Sequence, residues 1–157
     1  MFKDRYAGQA QSILRIVAAL LFILHGTSKL FGFPPMPEGM PAPEPGDILW
    51  LGALLELVGG SLVLVGFFTR PVAFILSGEM AVAYFMFHQP QNLFPSLNGG
   101  DAAILFCFVF LFIALAGPGP WAIDGPIEED NEPGVHGYSA PGGERSYRDE
   151  DFGDKVI

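Results

Sequence analysis

Four stretches of the chain are apolar for longer than a soluble core helix usually needs: residues 14–33, 48–68, 71–87 and 102–117. Each is near the roughly 17–25 residues that cross a hydrocarbon core as a helix. Basic residues Lys3 and Arg5 precede the first, as in a signal peptide, but its apolar run is followed by Lys29 and by no small-residue cleavage site, so it reads as a retained span. The connections carry their own signals. "PPMPEGMPAPEPGD", at residues 34–47, has six prolines in fourteen residues and cannot be helix interior, because proline lacks the amide donor. "FFTRP" predicts a tight turn between spans two and three, with Pro71 at a helix start. "HQPQNLFPSLNGGD" predicts a polar loop that ends with Asp101 as N-cap of span four, and "GPGPW" ends that span. From about Asp124 onward the chain is rich in Pro, Gly and acid, lacks periodicity, and is expected to be disordered. The predicted fold is all-α: an integral membrane four-helix bundle over residues 1–123, followed by an acidic tail over 124–157.

Composition agrees with that class. Half of the 157 residues are hydrophobic, and the mean hydropathy is +0.38, high for a soluble domain of this size. The net charge of −9 divides unevenly, since residues 122–157 hold ten carboxylates and three basic side chains and so carry −7 of it. No Lys or Arg cluster offsets this, which excludes nucleic acid as a partner. Cys107 is the single cysteine, so no internal disulfide, CxxC pair or cysteine zinc site exists. Lys3, Arg5 and Arg15 flank span one and Arg70 lies between spans two and three, whereas residues 34–47 hold no basic side chain. By the positive-inside rule both termini are expected in the cytoplasm, with the chain in a plasma or inner membrane.

Polar groups at depth change the picture most. In "ALLFILHGTSKLFGF", His25 and Lys29 stand four residues apart on one helical face, about 40° from each other. Glu56 lies near the middle of span two and Glu79 near the middle of span three. Ionisable residues inside spans are rare and usually turn inward. With Arg15, Thr69 and Arg70 marking the inner boundary, His25 is ten residues above Arg15 and Glu79 nine above Arg70. Lys29, Glu56 and Tyr84 stand fourteen, thirteen and fourteen residues from their markers, about 6 Å further out. Upright helices would therefore pair His25 with Glu79 and Lys29 with Glu56, with Tyr84 at the upper level. Gly52, Gly59 and Gly66 recur every seven residues with Gly60 beside them, and Glu56 lies on that close-packing face.

Two readings stand for these residues. In one, Glu56, Glu79 and His25 only hold helices together, Lys29 snorkels to the outer interface and Arg15 anchors the inner one. In the other they form a site that contacts a ligand or moves protons. His88, Asn98 and Asp101 would form a polar rim at the outer mouth, as binding residues or as plain interface solvation. No spacing diagnostic of a metal site occurs, so no metal is expected. The tail is either simply solvated or docks a basic surface on a soluble partner.

Three segments together resemble the DoxX family of small four-span membrane proteins: "RIVAALLFILHGTSKLFG", "GALLELVGGSLVLVGFFTRPVAFILSGEMAVAYF" and "NGGDAAILFCFVFLFIALAGPG". The resemblance covers most of residues 13–120. Asp101 departs from it, standing where a glutamate is common, and the acidic tail lies outside it. The resemblance implies a redox-related membrane role, through association with quinol oxidase or thiosulfate:quinone oxidoreductase, or with soluble thiol-handling or superoxide-detoxifying enzymes. It implies quinone as the cofactor and a soluble oxidoreductase as partner, with membrane lipid around the spans. His25, Lys29, Glu56 and Glu79 would then be the catalytic set, and Tyr84, His88, Asn98 and Asp101 the binding set. No haem, flavin, iron–sulfur or nucleotide motif occurs, so electrons would have to pass through a partner. The competing expectation is a non-enzymatic scaffold or a proton-coupled small-solute carrier, for which a homodimer would be needed.

Overall fold

The computed structural model describes residues 6–36 and 43–125, and among them every regular element is helical. Helix α1 spans Ala7–Phe31, α2 Ile48–Val65 and α3 Thr69–Ala83, which runs on as a π-helical turn, Tyr84–His88. A short α4, Pro95–Asn98, leads into α5, Asp101–Ala116. Three helical stretches, Ala7–Phe31, Ile48–Val65 and Thr69–His88, are long and apolar enough to cross a membrane. At 16 residues, α5 is shorter, about 24 Å at the helical rise. The tail expected at 124–157 lies outside the described residues from 126 onward, but Asp124 itself is held by the bundle.

Local chemistry sets the helix ends. Asp47 accepts from the Trp50 amide at 2.6 Å and so caps α2. Gly32 and Gly66 take the left-handed conformation (φ 68° and 74°) that closes α1 and α2. Helix α3 starts at Thr69, so Pro71 falls in its first turn, where its missing N–H is tolerated. The expected cap at Asp101 is corrected: Gly100 is the N-cap residue without a side-chain bond, and Asp101 is the exposed first residue of α5. There its charge faces the positive end of the helix dipole.

Helix α1 packs chiefly on α2, and α3 on α5. At the α1/α2 contact a β-carbon on Gly26 would stand 2.7 Å from the Leu57 amide nitrogen and 2.9 Å from the Ala53 carbonyl oxygen. These are backbone atoms that cannot step aside. Gly26→Ala should therefore cost about 2 kcal/mol, within the ~1–3 kcal/mol typical of overpacking. Thermal unfolding in detergent tests this, and an unchanged midpoint would mean that the helices do not approach so closely. Gly60 receives Ile23 of α1, and Gly59 receives Leu76 of α3. The glycine stripe therefore serves two neighbours rather than one. Between the two pairs, Phe22 meets Phe106 and Phe110 at ring-centroid distances of 5.4 and 4.7 Å.

The last carbonyls of α2, which have no partner within the helix, are taken up by the turn that follows it, by Arg15 of α1 and by the segment after α5. Leu62 is bonded by the amides of Gly66 and Phe67, Val65 by that of Ile123, and Val63 and Leu64 by the Arg15 guanidinium. Arg15 is fully buried and also donates to the carbonyls of Pro118 and Trp121. Ser12 accepts from the Trp121 amide, Gln11 donates to Gly117, and Arg70 donates to Ala114 and Leu115 at the end of α5. Arg15 is thus a clamp inside the bundle end, not a side chain lying in the interface.

Asp124 completes this end by accepting from the Phe68 and Thr69 amides at 3.0 and 2.8 Å, fifty-six and fifty-five residues away in the chain. Desolvation raises its pKa, but the Thr69 and Phe68 hydrogen bonds and the Arg15 charge outweigh that, and the net shift is downward. A depressed carboxyl stabilises the fold at pH values above the ordinary aspartate range, and that stabilisation is lost as pH falls through the lowered value. Asp124→Ala should cost about 1 kcal/mol, like other lost caps, with the difference from wild type closing at low pH. A difference independent of pH would show that the charge plays no part.

Candidate functional site

Lys29 and Glu56 form the predicted pair. The ammonium of Lys29 is 2.6 Å from Glu56 Oε1, and Glu56 is 2% exposed while the Lys29 side chain is 30% exposed. Lys29 therefore turns inward rather than snorkelling away. Its position near the α1 C-terminus also suits a cation. Glu79 joins from α3, within electrostatic reach of both Glu56 and Lys29. Gly52 makes the room, since a β-carbon there would lie 3.2 Å from Glu79 Oε1.

The cluster has more acceptors than donors. Glu56 Oε2 and Glu79 Oε2 are both buried without a hydrogen-bond partner. Ionised, the three groups sum to one negative charge in apolar surroundings, where an unsatisfied polar atom costs several kcal/mol. A proton, or a ligand bringing hydrogen-bond donors, would satisfy them. Among the described residues no group of three His, Cys, Asp or Glu side chains is placed to hold a metal ion.

The expected pairing of His25 with Glu79 does not form. The His25 ring is exposed, its Nδ1 lies 2.8 Å from the Leu21 carbonyl oxygen, and it meets the Phe106 ring of α5 nearly at a right angle at 5.6 Å. Depth alone matched the two residues. Their azimuths differ, because Glu79 points at α2 while His25 lies on the α5 side of α1. His25 does remain within electrostatic reach of Glu56.

Tyr84 also stands apart from the Lys29 level. It is five residues beyond Glu79, hence about 140° around α3, and stacks on His88 at 6.4 Å beneath Gly100. The π-helical turn brings this about, closed by the Gln89 amide on the Tyr84 carbonyl at 2.9 Å. His88 Nδ1 bonds the Asn98 carbonyl oxygen at 3.0 Å. Asn98, 6% exposed, donates to the Asn92 carbonyl and accepts from the Gly100 amide, both at 2.7 Å. Of the expected rim, His88 and Asn98 come together, with Tyr84 rather than Asp101 beside them, and the polar groups of His88 and Asn98 are spent on the loop's own backbone. Asp101 is exposed and outside this network.

Sequence reasoning missed Asp124, which it placed in the tail, and Ser77, whose hydroxyl donates to the Cys107 carbonyl at 2.8 Å between α3 and α5. The tight "WAID" between a helix-ending "GPGP" and the acidic run was the only signal for the first. A lone serine in an apolar span was the signal for the second.

Long apolar helices that turn an ammonium and two carboxylates toward one another define an integral membrane protein with a polar interior. More particularly, the chain belongs to the DoxX family, which residues 10–89 match. It is 40% identical over 124 residues to an uncharacterized protein of Haemophilus influenzae, covering 77% of this chain and 92% of the relative. It is 33% identical to the inner membrane protein YqjF of Escherichia coli (71% and 87% covered). Against the inner membrane protein YphA of the same organism it is 28% identical (71% and 86%). No solved structure matches it.

Proposed function

We propose that this protein is an inner-membrane subunit or partner in quinone-linked or oxidative-stress redox chemistry, and that Lys29, Glu56 and Glu79 receive a quinone head group and handle its protons. The inner-membrane names of the two Escherichia coli relatives support the location. One observation carries the rest: two buried carboxylate oxygens without partners lie beside a single ammonium.

The residues fit such a head group chemically. Lys29 gives one of its three N–H donors to Glu56 Oε1 and keeps others for a ring carbonyl. Glu56 Oε2 and Glu79 Oε2 can accept from ring hydroxyls. A quinone supplies the two-electron, two-proton couple when bound. The protein's part is to orient the ring by the ammonium, exclude water by burial, and hold a proton at Glu79 Oε2 that can pass to Glu56. Electrons would go to or come from a partner oxidoreductase.

Purification in mild detergent, followed by solvent extraction and chromatography, tests the reading. Wild type should retain quinone, or an oxidoreductase, in near-stoichiometric amount. Glu79→Gln should retain less than about a tenth, the effect of a hydrogen bond worth ~1.4 kcal/mol, while its unfolding midpoint stays close to wild type. Equal retention by Glu56→Gln, Glu79→Gln and wild type would sink the site. Proton-dependent solute flux into liposomes holding this protein alone would favour a carrier instead.

A further inference from the structure

Resting on that reading, we infer that His25 forms a lipid-facing acceptor site that selects the hydroxyl-bearing, reduced form of the ligand as it enters from the bilayer. His25 lies six residues before the end of α1 at Phe31, about 9 Å along the helix and so within the last third of a span long and apolar enough to cross a membrane. It is exposed among Leu20, Leu21 and Leu24, which are 43–48% exposed on the same outward stripe of α1. An imidazole turned to hydrocarbon at that depth is costly unless something partners it.

The geometry fixes what that partner must be. The Leu21 carbonyl can only accept, so Nδ1 carries the proton and donates to it. In the neutral ring Nε2 is then a lone-pair acceptor, and it has no hydrogen-bond partner among the described residues. It can pair with an O–H but not with a carbonyl. Of the two redox forms of a quinone, only the hydroquinone offers that O–H. The Phe106 ring, nearly perpendicular to the imidazole at 5.6 Å, offers a wall for an aromatic ring. His25 lies one helical turn from Lys29 on the same helix, so a ligand caught here is about 6 Å along the helix axis from the level of the buried cluster.

The test uses the full chain in lipid nanodiscs, with histidine labelled by nitrogen-15 and the His25 signals assigned with His25→Gln. The probes are a short-tailed hydroquinone and its quinone. The hydroquinone should move the His25 Nε2 resonance and the quinone should leave it in place. His25→Gln should weaken hydroquinone binding about tenfold and leave quinone binding unchanged. Hydroquinone binding that depends on Glu56 yet leaves His25 Nε2 unmoved overturns this inference and spares the cluster. Equal shifts from both probes overturn it as well. So does a His25 signal that responds to the protein-to-lipid ratio rather than to hydroquinone, which would place a second copy of the chain there. Binding of neither probe overturns both proposals.

Discussion

Arg15→Met is expected to leave the protein unfolded or nearly so in mild detergent, with a loss on the order of 4 kcal/mol. The guanidinium is wholly buried and serves four carbonyls, those of Val63, Leu64, Pro118 and Trp121. Replacing a buried ion pair by apolar side chains can be harmless when both partners go. Here the partners are backbone and remain: Val63 keeps the Gly66 amide, but the carbonyls of Leu64, Pro118 and Trp121 would lose their donor, at about 1–3 kcal/mol apiece before relaxation. The positive charge also faces the negative end of α2, adding to its favourable field. Arg15→Lys should recover less than half of the loss, because an ammonium cannot span the fork of acceptors that a guanidinium reaches. Thermal unfolding and resistance to proteolysis measure both variants. A midpoint within a few degrees of wild type for Arg15→Met would remove the clamp from this account.

Lys29→Met should give the second largest effect. It strands Glu56, 2% exposed, beside Glu79 with no cation to balance either carboxylate. Breaking one side of a buried pair costs about 3–5 kcal/mol. The partial exposure of Lys29 places the expectation near 3 kcal/mol. Glu56→Gln alone should cost less, because a neutral amide needs no counter-charge. The double variant Lys29→Met with Glu56→Gln should recover about 2 kcal/mol relative to Lys29→Met, a coupling typical of contacting groups. Strict additivity of the two single changes would mean that Lys29 points away from Glu56 in the membrane.

What the sequence revealed and what it hid divide along physical lines. The apolar runs and the Pro and Gly breaks marked the long helices, because hydrophobic length and missing amides act locally. Counting residues from Arg15 and Thr69 matched Lys29 with Glu56, because the helical rise turns sequence distance into depth. The same count misplaced His25, because depth is one coordinate of two, and the azimuth depends on which helix each face meets. Tyr84 escaped for the same reason, lying about 140° around α3 from Glu79 and so against Gly100 rather than Lys29. Asp124 was hidden by its surroundings: it reads as the first acid of an acidic run, and only the fold brings it to the bare amides at the start of α3. The role of Arg15 could not be read locally either, since its four acceptors lie about fifty to one hundred residues away in the chain.

On the proposed function, the cluster of Lys29, Glu56 and Glu79 takes up and releases protons with a bound ligand, beyond holding helices together. Infrared difference spectroscopy of the protein in nanodiscs, with quinone alternately reduced and oxidised, tests it most directly. The account predicts a carboxylic-acid carbonyl band that changes with the redox state, is lost in Glu79→Gln, and is altered in Glu56→Gln. A difference spectrum with no carboxyl band, or one that survives both substitutions unchanged, would contradict it.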